Sequence, residues 1–500
     1  MSKKTFFIAC ILAIGLIAVL MFVADINWIW LSVIIVPLIA LGIYDLVQKK
    51  NSVLRNFPII GHMRYLLKDI GPELHQYFVE DNTDGTPFNA NKRNYVESHA
   101  TKNLENHPFG TELNIYKENY DWMEHSIYAA EKLKAVPRVN ICGSSCQQPY
   151  SASIFNISAM SFGALSPNAI EALNLAAKEG NFFHDTGEGG ISKYHRKGGD
   201  LVWEIGTAYF GCRTKDGHFD AKQFQEKANW PEVKMIEIKI SQGAKPGHGG
   251  VLPAAKNNQE IADIRGIEPN KDVISPPSHT TFSNAKELCL WIQQLRELSG
   301  GKPVGFKLCI GSQQEFIDIC EQMLATGIKA DFITVDGAEG GTGAAPIDFS
   351  DSVGMPWEPA LVFVCDTLKK FGLREEIKII TATKIISAFD IFKALCLGAD
   401  ICNSARGMMF ALGCIQSLKC HTNACPTGVA TQKDSLVRGL VPEEKWKRVK
   451  NYHQETLNDF LDLLAASGCN KLSQLNRKMI HKQMGIEEKT FSEIYETKYV

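Results

Sequence analysis

Two long apolar runs open the chain, at residues 5–23 and 28–44, and from residue 151 onward the pattern changes to short apolar or β-branched runs separated by helix-period stretches. The first run is long enough to cross a hydrocarbon core of about 30 Å, and the second is slightly short alone. Residues 24–27 between them make a tight connection. Lys3 and Lys4 precede the first run and Lys49, Lys50 and Arg55 follow the second, whereas the connection carries only Asp25. The positive-inside bias therefore places both ends in the cytoplasm, and Trp28, Trp30 and Tyr44 sit where interfacial aromatics belong. No small-residue cleavage site precedes the second run, which argues against a removed signal peptide. Residues 1–50 read as a two-helix transmembrane hairpin anchor.

Eight strand-like runs follow, starting at Ile154, Phe182, Met235, Asp272, Val304, Asp331, Ile377 and Asp400. Eight strands alternating with helices predict an α/β fold of the TIM (β/α)8 barrel type, with its site at the carboxyl ends of the strands. Polar and glycine residues gather just there, in SFGALS, GEGG, SQGAKPGHGG, PPSH, DGAEGGTGAAP, TATK and ARG. Residues 51–150 are broken by Pro58, Gly61, Pro87, Pro108 and Gly110 and read as an irregular extension packing on the barrel. The barrel itself is assigned to 151–432 and a helical extension to 433–500. In that extension Trp446, Val449, His453, Leu457, Phe460 and Leu464 recur at helical spacing, with Gly468 as a stop.

Composition narrows the function classes. With 53 basic against 55 acidic residues, a net charge of −2 and no basic stripe, the chain offers no electrostatic case for nucleic acid. Its 14 cysteines are spread irregularly through apolar segments, a pattern of reduced thiols rather than of a disulfide framework. Cys414, Cys420 and Cys425 stand apart. They lie in one stretch, GCIQSLKCHTNACPTGVATQ, closed by Pro426 and Gly428. Three soft thiolates on an irregular loop suit an iron–sulfur cluster lacking one iron; His421 could complete a zinc site instead, or the thiols could be unligated.

Seven motifs in order, SAMSFGALS at Ser158, HDTGEGG at His184, IEIKISQGAKPGHGG at Ile236, SPPSH at Ser275, GFKLCIG at Gly305, DGAEGGTGAAP at Asp336 and the cysteine stretch at Gly413, carry a resemblance. Over roughly residues 151–432 the chain resembles the flavin domain of the glutamate synthase large subunit, in its stand-alone branch. The resemblance implies a barrel of the FMN-linked oxidoreductase type beside a [3Fe-4S] cluster held by Cys414, Cys420 and Cys425. It puts Ala159, Met160 and Ser161 against the flavin ring, with Gly340, Gly341 and Thr342 on a second loop. Lys384, Ser404, Ala405 and Arg406 stand where barrel enzymes bind phosphate. Lys245, Lys307 and Glu188 match active-site positions, each with a structural alternative: an ion pair for the lysines, a turn for GEGG. His184, His195 and His279 read as hydrogen-bonded packing residues.

Two departures matter. KPGHGGV at Lys245 puts His248 and Val251 where the family has a carboxylate and an amide, and TATK at Thr381 lacks the double glycine that usually precedes the phosphate-binding lysine. No glutaminase domain with its nucleophilic cysteine is recognisable either. The implied activity is reductive amination of a 2-oxo acid, with an electron-donor or ammonia-supplying subunit as partner. Two rivals stand beside it: a membrane-linked dehydrogenase of an amino acid or N-alkylamino acid, favoured by the anchor, and a non-catalytic scaffold.

Overall fold

The computed structural model describes residues 3–103, 109–485 and 487–495, so Pro108 lies outside the described residues. It divides into two compact units, Met1–Gly85 and Thr86–Val500.

In the first unit, helices Lys3–Val23 and Ile26–Val47 are long and apolar enough to cross a membrane. The second begins as a 3-10 turn, Ile26–Leu31, capped by Asp25, whose carboxylate accepts from the Asn27 amide at 2.7 Å. The helices meet at Gly42, where a Cβ would fall 2.2 Å from the Phe6 ring. Glycine there lets one backbone lie directly on the other helix's side chain. Asn51 caps a short helix, Ser52–Asn56, and a longer one, Gly61–Leu74, follows.

The second unit is a closed barrel of parallel strands: β1 Phe155–Ile157, β2 His184–Asp185, β3 Leu201–Ile205, β4 Val233–Lys239, β5 Val304–Leu308, β6 Phe332–Val335, β7 Lys378–Thr381 and β8 Ile401–Ser404. Neighbours in sequence are neighbours in the barrel, and β8 closes on β1 through Cys402 against Phe155. This is the TIM barrel architecture. All but one of the expected runs supply strands. The exception is DVISPP: Val273–Ile274 leaves the barrel and pairs antiparallel with Val251–Leu252, a ribbon on the excursion between β4 and β5.

The strand that takes its place is β3, LVWEI, buried along its whole length. Its pattern hides it twice. Glu204 interrupts the apolar run, and no helix separates β2 from β3, so the alternation of strand and helix fails there. The Asn174 side chain accepts from the Lys197 and Gly199 amides instead, holding that loop onto helix Pro167–Gly180.

The amino end of the barrel is plugged by a hairpin, Arg138–Ile141 with Tyr150–Ser153. Ile141, Tyr150 and Ala152 pack there on Phe183, Val202, Met235, Phe332, Ile380 and Ile401. At the hairpin tip Cys142 and Cys146 form a disulfide, which corrects the expectation of thiols throughout; the other cysteines are free. Two thiols four residues apart on a tight turn are close enough to join, a proximity that scattered spacing along the whole chain does not convey. Helix Pro442–Ala466 packs against Pro167–Gly180 and Ala90–Thr101. It buries Val449, His453, Leu457, Phe460 and Leu464 as its periodicity requires.

Candidate functional site

At the carboxyl ends of the strands lies a cavity of about 850 Å³. Its walls include every position singled out in the sequence: Ala159, Met160 and Ser161 after β1, Glu188 after β2, Lys245 after β4, Lys307 on β5, and Gly340, Gly341 and Thr342 after β6. Lys384 after β7, Ser404, Ala405 and Arg406 at the end of β8, and Cys414, Cys420 and Cys425 beyond it complete the set. Asp336, which was not singled out, ties the loops together. It accepts from the Gly243 amide at 2.8 Å and from the Thr383 hydroxyl at 2.9 Å, so the turns after β4, β6 and β7 share one carboxylate.

The floor is ionic. Lys307 points into the barrel and pairs with Glu204, with Glu237 Oε2 at 3.6 Å. Oxygens of Asp185, Glu204 and Glu237 all lie within 4.8 Å of one another, and the ammonium occupies the position a cation would take among them. Burial alone would push the Lys307 pKa down, but Glu204, Glu237 and Asp185 overcome it and hold the lysine charged. Burial also pushes the Asp185 carboxyl up, reinforced by repulsion from Glu237 and Glu204, and it raises Glu237, where Glu204 adds to it and Lys307 opposes it. Thr334 donates to Glu237 at 2.5 Å. The ion-pair alternative for Lys307 is therefore the contact it makes.

Above the floor, Glu188 lies in a slot cut by glycines. A Cβ on Gly250 would fall 1.8 Å from its Oε1, and one on Gly206 2.7 Å from its Oε2, so neither site admits a side chain without displacing the carboxylate. Lys239 pairs with it at 3.2 Å. Burial raises the Glu188 pKa, but Lys239, Arg265 and Lys245 outweigh burial, and the carboxyl stays below its usual value. The Arg265 guanidinium donates to the Phe162 carbonyl at 3.0 Å, linking this charge group to the loop after β1.

Lys245 is different. It is buried, and its ammonium donates to the Ala344 carbonyl at 2.9 Å, an uncharged acceptor. Burial, then repulsion from Lys239, brings its pKa down to about 8. Next to it, His248 Nδ1 lies 2.9 Å from the Gly249 carbonyl and its ring packs edge-on against Phe349 at 5.3 Å. Val251 opens the ribbon that forms part of the same wall. In TATK, Lys384 itself takes the left-handed backbone, φ 51°, that glycine adopts more easily.

On the opposite side are the cysteines. Cys425 receives the Thr427 hydroxyl, with sulfur and oxygen 3.4 Å apart. Burial raises its pKa, but the hydroxyl and the amides of Ala430, Thr427 and Val429 bring it below the usual thiol value. Cys414 is pushed up to about 11 by burial. Gly343, beside the β6 loop, lies against Cys420, where a Cβ would stand 4.0 Å from the cysteine Cβ. Lys256 was not anticipated. It is buried and donates to the Ala164 carbonyl at 2.7 Å; burial brings its pKa down to about 8, against the opposing pull of Cys420 and Cys425. No pattern marks it, because it comes from the irregular excursion between β4 and β5.

The expectation of hydrogen-bonded packing holds for His195 and His279 but not for His184, whose two ring nitrogens are buried without a hydrogen-bond partner. His195 Nδ1 lies 2.9 Å from the Ser192 hydroxyl, and His279 Nε2 2.9 Å from the Lys239 carbonyl. His184 is fully buried against His195. Burial lowers all three pKa values, to about 3 for His195 and about 4 for His279.

Comparison with known proteins gives a consistent answer. Residues 110–470 match the family described as a conserved region in glutamate synthase. The chain is 37% identical over 486 residues to the glutamate synthase large subunit-like protein YerD of Bacillus subtilis (strain 168), covering 88% of this chain and 92% of that one. It is 37% identical over 337 residues to the archaeal glutamate synthase (NADPH) of Methanocaldococcus jannaschii, and spans 62% of that protein's length. Among solved structures, a flavocytochrome b2 mutant with pyruvate bound aligns at a TM-score of 0.44 and 12% identity, covering 83% of this chain and 91% of that one. A mandelate oxidase variant with (S)-mandelic acid aligns at 0.46 and 14%, covering 79% and 99%.

Proposed function

The chain belongs to the glutamate synthase family, and from that premise we propose that it is a flavin and iron–sulfur oxidoreductase that reductively aminates a 2-oxo acid, 2-oxoglutarate or a relative, with ammonia supplied from outside the barrel. The observation that carries this reading is the convergence of lysine, glycine-loop and cysteine positions on one cavity.

The residues present fit both cofactors. Gly187 and Gly189 bring backbone so close to Ser161 that a Cβ would fall 2.7 and 2.8 Å from its atoms, which keeps the loops after β1 and β2 thin where a flat ring system would lie. Lys384 and Arg406 offer cations, and Ala405 and Ser404 backbone, for a phosphate. Cys425, with its amide and hydroxyl donors, is the environment of a cluster-ligating thiolate. In this reading FMN is held by the loops after β1, β6, β7 and β8, and a [3Fe-4S] cluster by Cys414, Cys420 and Cys425. Bound there, the pair supplies a hydride at the flavin and single electrons at the cluster.

The chain's own groups do the rest. Lys245 holds the substrate carboxylate by a charge-assisted hydrogen bond, worth about 1.5–3 kcal/mol. With a pKa near 8 it also can give the proton that leaves with water as ammonia replaces the keto oxygen. Glu188 stays ionised and fixes Lys239, and Lys307 supplies the counter-charge for the carboxylates of the floor. The apolar helices Lys3–Val23 and Ile26–Val47 anchor the protein in a membrane with the barrel in the cytoplasm. They also favour the second reading, oxidation of an amino or N-alkylamino acid with electrons passed to a membrane carrier.

Anaerobically purified full-length protein should show a flavin spectrum, iron and acid-labile sulfide, and should form an amino acid from a 2-oxo acid and ammonia when reduced chemically. Absence of flavin, or stoichiometric zinc without sulfide, would sink the proposal; amine-dependent reduction of a quinone without the forward reaction selects the second reading.

A further inference from the structure

Helix Gly61–Leu74 presents Met63, Leu66, Leu67, Ile70 and Leu74 along one face, the i, i+3, i+4, i+7, i+11 spacing of a continuous stripe. Inside a protein such a stripe is covered. Here all five side chains are 40–54% exposed, and Tyr77 and Phe78 just beyond reach 61% and 82%. The polar face is the one that is held. His62 Nε2 lies 3.0 Å from Asp45 Oδ1, the Ile59 amide donates to Asp45 Oδ2 at 2.9 Å, and the Asn51 amide group donates to the Tyr65 hydroxyl at 2.7 Å. Asp45 sits two residues from the end of the second apolar helix, Ile26–Val47.

The helix is thus fastened, through the face opposite its apolar stripe, to the point where the span ends and a bilayer's headgroup layer begins. Lys49, Lys50 and Arg55 lie in the intervening segment, and on the helix itself Arg64 and Lys68 are balanced by Asp69 and Glu73, so the basic excess sits at the end of the span, beside the start of the stripe. Basic side chains beside an apolar stripe are the composition that anionic lipid surfaces attract.

We propose that residues 61–79 form an in-plane amphipathic element that docks on the surface of the same membrane, its stripe entering the headgroup and acyl boundary. An element of this kind reaches about 5–10 Å into the interface. The proposal rests on the reading of Lys3–Val23 and Ile26–Val47 as membrane spans, and its occupant is the lipid surface rather than a second copy of the chain.

The test uses full-length protein reconstituted in phosphatidylcholine and phosphatidylglycerol vesicles, with a photo-reactive phenylalanine replacing Ile34, Leu66 or Lys68 in turn. Lipid adducts at positions 34 and 66, and their loss at 68, are the expected result. Lipid at 34 with none at 66, or with protein adducts at 66, overturns the proposal and leaves the anchor standing. No lipid adduct at 34 means that the spans themselves are misread, and the proposal falls with them. As a second measurement, with the photo-reactive phenylalanine replacing Ile70, the parent should give a lipid adduct and the double variant Leu66→Glu with Leu67→Glu should lose it while resisting carbonate extraction like the parent; retention of that adduct counts against an apolar docking face.

Discussion

The floor and the wall of the cavity are built from the same residue types and do opposite things. On the floor, Lys307 is surrounded by Glu204, Glu237 and Asp185, so its charge is answered from within the chain. On the wall, Lys245 is buried too, but its ammonium meets a single neutral carbonyl and a repelling neighbour, Lys239. Glu188 offsets only part of this: burial and Lys239 outweigh it and bring the lysine down to about 8, so keeping this cation buried costs free energy. The difference separates groups that hold the barrel together from groups kept ready for an anionic ligand.

The largest expected effect follows from removing the floor lysine. Lys307→Met leaves buried carboxylates without a cation, and breaking a buried pair in this way costs about 3–5 kcal/mol. A loss of that size in denaturant melts, or no folded protein at all, is expected; a parent-like melt would erase the contrast. Lys245→Met should do the reverse. Its stability should stay within about 1 kcal/mol of the parent or rise, while kcat/KM falls about 10²-fold, the scale of one lost charged contact to substrate. Equal damage to stability from both variants would show that the two lysines are alike.

The pH dependence sharpens the same contrast. Lys245 has a folded pKa of about 8, below the ordinary lysine value, so between about 8 and 10.4 the unfolded chain binds the proton that the folded chain has released. The penalty of burying this charge is fully present below pH 8 and fades as pH rises through that window, so the stability of the parent should gain on that of Lys245→Met there. In the same window substrate KM should increase as the ammonium discharges. Steady-state rates from pH 6.5 to 9.5 read this directly, and a flat KM for the parent would remove Lys245 from the carboxylate site. The smallest effect concerns the departures beside it. Val251→Gln restores an amide to the wall and should tighten 2-oxoglutarate about tenfold, about 1.4 kcal/mol, with His248→Ala weakening whichever anion binds.

The legibility of the molecule follows the same division. Strands such as MIEIKI and VGFKLC were readable because β-branched and other apolar residues recur through them and a helix-period stretch follows each before the next strand. LVWEI was not, since no helix separates it from β2 and the alternation that marks the other strands fails there. DVISPP was misplaced for the converse reason: two residues of ribbon in an excursion carry the same β-branched signature as a barrel strand. Loop positions at strand ends, Glu188 or Thr342, could be named from glycine-rich motifs because their spacing is local. Lys256, Arg265 and Asp336 could not, because each acts through a contact between loops that the sequence does not bring together.

The Lys307 knot has one more consequence, for the order in which the protein matures. Barrels whose interior charge is neutralised only by a metal or a phosphate wait for that group before they settle. Here the central cation is encoded in the chain, and the glycines at 206 and 250 shape the slot above it. Assembly of the barrel floor thereby needs no added ion, since the charge that holds its carboxylates together arrives with the chain itself.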